Sequence, residues 1–444
     1  MPLLTIEKVI NGGYGLTKTD EGKIVLIPGT LPGEEIQTTI HQDKKGYATG
    51  KIKKIVTAHD GRITPPCPYI RNCGGCNLQH ATAELQLEIK EAIVKESLTR
   101  SGKPELAKAS ALIQAPIASP QDFFYRQRIR LHIDEYGRMG FRQHQSHDII
   151  AIKKCLLASP QINEVLTALE EHEEHGEICQ LASQLELILN PATEQVQLVY
   201  LLKRKSRPAD TNRAKRLGEK IASVDCIYFI GENFPLQSAY CKTPEEGKVL
   251  SLDYKPQALA GKKISMQWEV NGFCQVNIKQ NVQMIETVLA FADIRDEESV
   301  LDLFCGMGNF SIPLACQAKA VTGFEGQGSA IRSAKKNALN NGLDNCSFYQ
   351  KPVHKACAEL IADKRVYDCV IIDPPRQGAP ELAGQLAKLC QKRLIYISCD
   401  PATLTRDLAE LSKQGFQIKK IQPIDMFPQT YHIENVVLLE PCPQ

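Results

Sequence analysis

The chain has 444 residues, 43 % of them hydrophobic and 23 % charged, with 53 Lys and Arg against 51 Asp and Glu for a formal net charge of +2. These values exclude a disordered, fibrous or membrane-embedded chain and leave room for two to four domains of roughly 100–200 residues each. They also exclude a global positive field, so any contact with nucleic acid has to come from local patches.

Residues 1–60 alternate apolar and polar positions between Asn11-Gly12-Gly13, Glu21-Gly22, Pro28-Gly29 and Pro32-Gly33, a rhythm that predicts short strands in a small barrel. Lys44, Lys45, Lys51, Lys53 and Lys54, with Tyr47, form a basic hairpin that suits an RNA backbone or a solvated face of a structural barrel. The start of the chain lacks a basic, apolar and small-residue leader pattern, and no run of about 18 apolar residues occurs, so a cytoplasmic location is expected. In such a compartment the sixteen cysteines are expected to stay reduced, and Cys179, Cys226, Cys316, Cys346 and Cys369 read as ordinary apolar residues.

Three thiols, Cys67, Cys73 and Cys76, fall within ten residues of a turn-rich segment, and Cys155 follows a short strand pattern. Four thiolates can hold zinc or a four-iron cluster. Gly74 and Gly75 would let backbone wrap a bulky cubane, which favours iron–sulfur, and the spacing differs from that of radical enzymes, which favours a closed structural centre. Next, Leu85, Ile89, Ala92 and Ile93 recur at helical spacing up to Ser101-Gly102. Residues 123–202 read mostly as strand, with a helix at 159–170 and a solvated polar loop at 172–176. Strand alternation puts Arg126, Arg128 and Arg130 on one face, which suits either phosphate contact or simple solvation; Arg138, Arg142 and the basic loop 203–207 could extend it.

Beyond residue 262, strand patterns at 299–303, 320–324, 367–372 and 393–398 alternate with helical stretches, which predicts crossovers on a parallel sheet, and 436–439 reads as a last strand. The first strand runs into Phe304-Cys305-Gly306-Met307-Gly308-Asn309, and Glu325 closes the second. A glycine turn followed about twenty residues later by a ribose-binding acid suits a nucleoside cofactor, and the missing dinucleotide fingerprint favours S-adenosylmethionine. Asp373-Pro374-Pro375-Arg376 ends a later strand, a pattern that amino-methyltransferases of adenine and guanine share in part. Cys399, in Ser398-Cys399-Asp400-Pro401, argues against them. An exocyclic amine needs no thiolate, whereas C5 of uracil becomes nucleophilic only after a thiolate adds to C6. A base must then remove the C5 proton; Glu434 is the choice, with His432 on the same side of the strand as the competitor.

Taken in order, the cysteine cluster, Phe273-Cys274-Gln275-Val276-Asn277, the glycine loop, Asp373-Pro374-Pro375-Arg376, Ser398-Cys399-Asp400-Pro401 and Tyr431-His432-Ile433-Glu434 resemble the bacterial RNA uracil-5 methyltransferases. The resemblance implies an α/β fold whose Rossmann-like, class I adenosylmethionine-dependent methyltransferase domain spans 263–444. It implies also a TRAM/OB-like small β-barrel over 1–60 and a central, mainly β domain over 61–262 that carries an iron–sulfur cluster. Cys67, Cys73, Cys76 and Cys155 would ligate a [4Fe-4S] cluster, Cys399 would be the nucleophile and Glu434 the base. Gln275, Phe304, Asn309, Glu325 and Asp373 would line the S-adenosylmethionine site, with Gln275 and Asp373 near the target uracil. Where relatives often offer an amide or acid to the adenine, this chain reads Tyr349-Gln350-Lys351-Pro352, and no adenine contact is assigned.

The implied partner is 23S ribosomal RNA, because transfer-RNA members of the family usually lack both barrel and cluster, and the target base would be flipped to reach Cys399. No membrane partner is expected, and without a heptad seam a monomer is. The rival readings are a transfer-RNA uracil-5 methyltransferase, a cytosine-5 RNA methyltransferase, and an RNA-binding assembly factor that retains the fold without turnover.

Overall fold

The computed structural model describes residues 2–44, 46–144, 146–243 and 248–442, which fold into four sheets. Lys45 of the basic hairpin lies outside the described residues. The first sheet has six strands in the order Leu3–Thr5, Glu35–Lys44, Tyr47–Thr57, Ile24–Pro28, Tyr14–Lys18, Lys8–Ile10. Alternation turns Leu4, Val25, Ile27, Ile36 and Ala48 inward with Ile6 to form a core of their own. Pro-Gly turns connect the strands, with Gly29 and Gly33 at φ 75° and 77°, conformations that a side chain would strain. Lys51, Lys53 and Lys54 are exposed.

A central sheet of seven strands follows, in the order Phe234–Cys241, Val224–Gly231, Val196–Leu202, Ala182–Leu189, Arg128–Ile133, Met139–Arg142, Ile149–Ala151. The expected helix is present as Pro160–Glu170, with Ser159 accepting from the Ile162 amide at its N-terminus. The loop expected at 172–176 is instead the beginning of a helix, Glu173–Leu181. Glu174 and Ile178, and His175 and Cys179, are four apart and buried, so two of the polar residues that read as a loop belong to the inner face of an amphipathic helix. His175 is enclosed, its Nδ1 2.7 Å from Tyr200 Oη.

The arginine face also differs from expectation. Phe124 takes φ 58° and the strand begins only at Arg128, so alternation does not extend back to Arg126. Arg126 points inward, while Arg128 is bidentate to Glu186 at 2.7 Å on both arms and donates to the Gly272 carbonyl at 2.7 Å. Arg130 shares Glu186. Arg126 and Arg128 therefore brace protein, while the Arg130 side chain stays 57 % exposed, so the three do not form one row facing solvent. Cys226 is buried as expected, but its sulfur is joined to that of Cys241 on the adjacent antiparallel strand, contrary to the reading of all thiols as reduced.

The C-terminal sheet runs Cys346–Gln350, Ala320–Glu325, Ser299–Leu303, Tyr367–Ile372, Cys390–Ser398, Glu434–Pro441, Phe416–Ile424. Apolar clusters cover both faces, as an α/β sheet requires. This is a Rossmann-like sheet, but it is not wholly parallel: Glu434–Pro441 inserts antiparallel between its two neighbours. The insertion positions the site. Strand Phe416–Ile424 climbs to the rim where the parallel strands end, the chain turns through residues 425–433, and Glu434 starts downward from that same rim. Ser398 pairs with Asn435, so the next residues outward, Cys399 and Glu434, reach the rim together. Among the described residues no helix is long and apolar enough to cross a membrane.

Candidate active site

A cleft of roughly 1150 Å³ opens above the carboxyl ends of the parallel strands, where open α/β sheets bind ligands. Its floor is the sheet rim: Phe304 and Gly306 from the first strand, Glu325 from the second, Asp373 to Arg376 from the fourth, and Cys399 with Glu434 from the strands beside it. Its far wall comes from earlier chain: Tyr14 of the N-terminal sheet, Gly74, Gly75 and Asn77 of the cysteine segment, Arg126, His144, and the stretch Phe273 to Val276. Thus Gln275, Phe304, Glu325, Asp373, Cys399 and Glu434 are brought together. Asn309 is not among the lining residues; its amide is engaged twice with that of Asn281, at 2.8 and 3.1 Å.

Local structure explains these placements. Phe304 sits at φ 62° immediately after its strand, and Gly308 at φ 87° receives the Ile312 side chain so closely that a Cβ would approach it to 3.0 Å. The Gln275 segment is clamped by Arg128 on Gly272 and by Gln127 N on the Val276 carbonyl at 2.9 Å. Cys399 leads into helix Pro401–Lys413, whose N-terminus Asp400 caps by accepting from the Ala402 and Thr403 amides at 2.9 Å. His432 lies between the rings of Tyr431 and Phe427, with centroids 4.1 and 6.0 Å away.

Burial dominates the electrostatics. It raises Asp373 and Asp302 to about 7, and raises Glu434 to about 8 with a further push from the Asp373 charge. Cys399 rises to about 11 because it is desolvated and faces Glu434 and Asp373, with Arg376 partly opposing them. His432 is held down at about 4 by burial and by Arg376. Carboxyl groups desolvated in this way regain their charge most readily beside a cationic ligand. Asp302 accepts from Ser311 Oγ at 2.5 Å on one oxygen, while its other oxygen and the Trp268 indole N–H of the cleft wall are buried without partners.

The raised Asp373 value has a thermodynamic sign. Between its unfolded value near 3.8 and its folded value near 7, the unfolded chain releases a proton that the folded chain keeps, so stability falls as pH rises through that window. Asp373→Asn removes this dependence. The melting temperature of the variant relative to the parent is expected to be higher at pH 8 than at pH 5, by a few degrees in differential scanning calorimetry. A difference independent of pH would refute the assignment.

Sequence reading missed three residues of the cleft. Arg376 was visible after the diproline but carried no role. Tyr14 and His144, whose Oη and Nε2 are 2.7 Å apart, come from different sheets and have no local signature.

A separate cavity of about 370 Å³ adjoins the cleft and is lined by Cys67, Cys73, Cys76 and Cys155. Among the described residues no three His, Cys, Asp or Glu side chains converge as they would around one metal ion. Arg126 lines both this cavity and the cleft, and its Nε is buried without a partner. A second cavity, of about 500 Å³, opens beyond Phe304 and Glu325 and is walled by Pro352, His354 and Gln377.

Comparison with known proteins agrees with this geometry. Residues 107–442 match the family described as tRNA (Uracil-5-)-methyltransferase, and residues 3–53 match the TRAM domain. The 23S rRNA (uracil(1939)-C(5))-methyltransferase RlmD of Yersinia enterocolitica is 32 % identical over 98 % of this chain and 94 % of its own length. Its counterpart in Aeromonas salmonicida is 34 % identical over 95 % and 92 %. The crystal structure of the Pyrococcus abyssi tRNA (uracil-54, C5)-methyltransferase, in complex with S-adenosyl-L-homocysteine, superposes with a TM-score of 0.69 at 25 % identity, covering 98 % of this chain and 99 % of that one. With a Rossmann-like sheet that brings a cysteine and two acids to one rim, and with a family match across three quarters of its length, the chain belongs to the RNA uracil-5 methyltransferases and carries a TRAM domain at its N-terminus.

Proposed function

We propose that this protein methylates C5 of a specific uridine in 23S ribosomal RNA. The observation that carries the chemistry is the register of Cys390–Ser398 against Glu434–Pro441, which delivers Cys399 and Glu434 to one cleft beside Asp373. The Cys399 thiolate adds to C6 of the uracil, and the ring electrons move to C5. S-adenosylmethionine would supply the methyl group that C5 then takes up, its S–CH3 bond breaking to leave S-adenosylhomocysteine. Glu434 removes the C5 proton, and the electron pair left behind re-forms the C5–C6 double bond and expels the Cys399 sulfur. Glu434 is favoured over His432 because it heads the strand paired with that of Cys399, with Asn435 opposite Ser398, whereas His432 is held between two aromatic rings.

Gln275, Phe304, Glu325 and Asp373 would hold the methyl donor, whose cationic sulfur matches the desolvated acids. The cavity beyond Glu325 has room for the adenine, bounded by Pro352 where relatives often place an amide or acid. Asn309 would act from behind the loop through Asn281. We further propose that residues 1–60 and the central region 61–262 grip the RNA around the cleft, while 263–444 carry out the chemistry in the cytoplasm.

Cys67, Cys73, Cys76 and Cys155 would ligate a [4Fe-4S] cluster. Sulfurs around a zinc ion would sit about 3.8 Å apart, given Zn–S bonds of about 2.3 Å. The four cysteines instead surround a cavity, which suits a larger anionic body, and the unpartnered Arg126 guanidinium edge beside it supplies compensating charge.

The architecture alone does not choose the RNA, since a transfer-RNA enzyme shares it along nearly the whole chain. The 32–34 % identity to ribosomal-RNA enzymes carries that choice. Radiolabelled S-adenosylmethionine offered with unmodified 23S RNA and unmodified transfer RNA in parallel should yield 5-methyluridine in the ribosomal RNA. Label in transfer RNA would overturn the substrate, label on cytosine the base, and no label in either the enzymatic reading.

A further inference from the structure

The turn at residues 425–433 carries Tyr431 and His432 into the cleft and delivers Glu434 at the head of its strand. At its centre Gln429 is 4 % exposed and adopts φ 70°, a left-handed conformation that a residue with a side chain seldom takes without support. The support comes from the other end of the chain. The Gln429 amide donates to Gln86 Oε1 at 2.8 Å, and Gln86 Nε2 donates to Gln429 Oε1 at 3.0 Å. The Gln429 carbonyl accepts from the backbone amides of Asn77 and Leu78 at 3.1 and 3.0 Å. Asn77 Oδ1 takes the Tyr431 amide at 2.8 Å. On the approach to the turn, buried Lys90 donates to Asp425 at 2.6 Å and to the Phe427 carbonyl at 3.1 Å.

Cys399 is supported differently. It hangs between its own strand and a helix capped by Asp400, and none of those bonds passes through the turn. The two groups share the Ser398–Asn435 pairing, but Cys399 has in its Asp400-capped helix a second support that does not pass through Gln429, whereas Glu434 follows directly from the turn. Loosening Gln429 should therefore disturb Glu434 more than the nucleophile.

We propose that Gln429 is a positioning residue for proton abstraction, its left-handed turn, pinned by Gln86 and the Asn77–Leu78 backbone, aiming Glu434 at the C5 proton. The proposal rests on the reading of Glu434 as the base. Disturbing the turn slows removal of the proton without slowing attack by Cys399 or methyl transfer. The species that accumulates has the sulfur still bonded to C6 and both the methyl group and the proton on C5.

The test measures the fraction of enzyme covalently bound to RNA on denaturing gels during turnover, for Gln429→Val, Gln429→Gly and Gln86→Met, with Glu434→Gln as reference. S-adenosylhomocysteine affinity by calorimetry reports on the rest of the site. Glu434→Gln is expected to trap nearly all of the enzyme. Gln429→Val, which opposes φ 70°, should lower turnover roughly tenfold or more and raise the trapped fraction several-fold, with cofactor affinity unchanged. Gln429→Gly keeps the left-handed backbone and its amide bond to Gln86 and loses only the side-chain contact, so its effect should be the smallest; Gln86→Met removes the acceptor of the Gln429 amide as well and should fall between the two. If Glu434→Gln traps enzyme while the other variants show the parental trapped fraction, whatever their turnover, the positioning role is overturned. If Glu434→Gln itself traps nothing, the base assignment fails instead. Should Gln429→Val not fold, Gln86→Met and Gln429→Gly decide the matter.

Discussion

Replacing Cys399 by Ala should abolish methyl transfer, lowering the single-turnover rate by roughly 10⁴-fold or more, while S-adenosylhomocysteine and RNA still bind. The size of the effect follows from the chemistry. Without sulfur addition to C6, C5 of uracil has no usable electron pair, and among the described residues no other cysteine lines the cleft at the rim beside Glu434. Cys274, the other thiol of the cleft, is buried on the opposite wall in the 273–276 stretch and not at the rim. The geometry allows a second readout. RNA carrying 5-fluorouridine at the target should form a denaturant-stable adduct with the parent protein, since fluorine at C5 cannot leave as a proton does, and none with the variant. Retained methylation by the variant would overturn the mechanism. Because burial and nearby carboxyls lift the parent thiol to about 11, the rate of adduct formation should climb with pH across the neutral range. Replacing Arg376, the cation that opposes this rise, by Gln should lower the rate at every pH of that range without changing the slope.

Much of this site was legible because its parts are strand ends with short signatures. The glycine loop, Glu325, Asp373 and Cys399 each follow a β pattern by one or two residues, so local sequence locates them at one rim. Glu434 was legible as a residue, but its approach was not. Nothing in residues 425–441 signals that the last strand enters antiparallel, and that reversal is what seats it beside Cys399. Arg126 was misdirected because period-two alternation was carried back through Phe124, whose positive φ breaks it. The helix at Glu173–Leu181 was hidden because its inner face begins with polar residues, Glu174 and His175, and only their spacing from Ile178 and Cys179 betrays it. Gln429 could not have been found at all. Its role lies in bonds to Gln86, 343 residues away, and in a dihedral angle that composition does not encode.

Loss of one cluster ligand should have consequences beyond the metal. Cys76→Ser is expected to yield protein with little iron or sulfide where the anaerobically purified parent carries about four of each per chain. It should also melt well below the parent, because ligation energy of a metal centre contributes to folding. The structure adds a further consequence. Asn77 and Leu78 directly follow Cys76, and their backbone amides hold the carbonyl of Gln429, so the segment that wraps the cavity is also the seat of the turn that carries Glu434. Activity of Cys76→Ser should therefore fall more than that of Cys67→Ser, whose neighbours do not bond to the turn among the described residues. Equal activity losses at equal residual iron would separate the cavity from the turn, and a colourless parent containing zinc would overturn the cluster. Arg126 gives the complementary test. Its guanidinium stands between cavity and cleft with one buried edge unpartnered, so Arg126→Met should lower iron retention on exposure to a chelator even with all four cysteines intact.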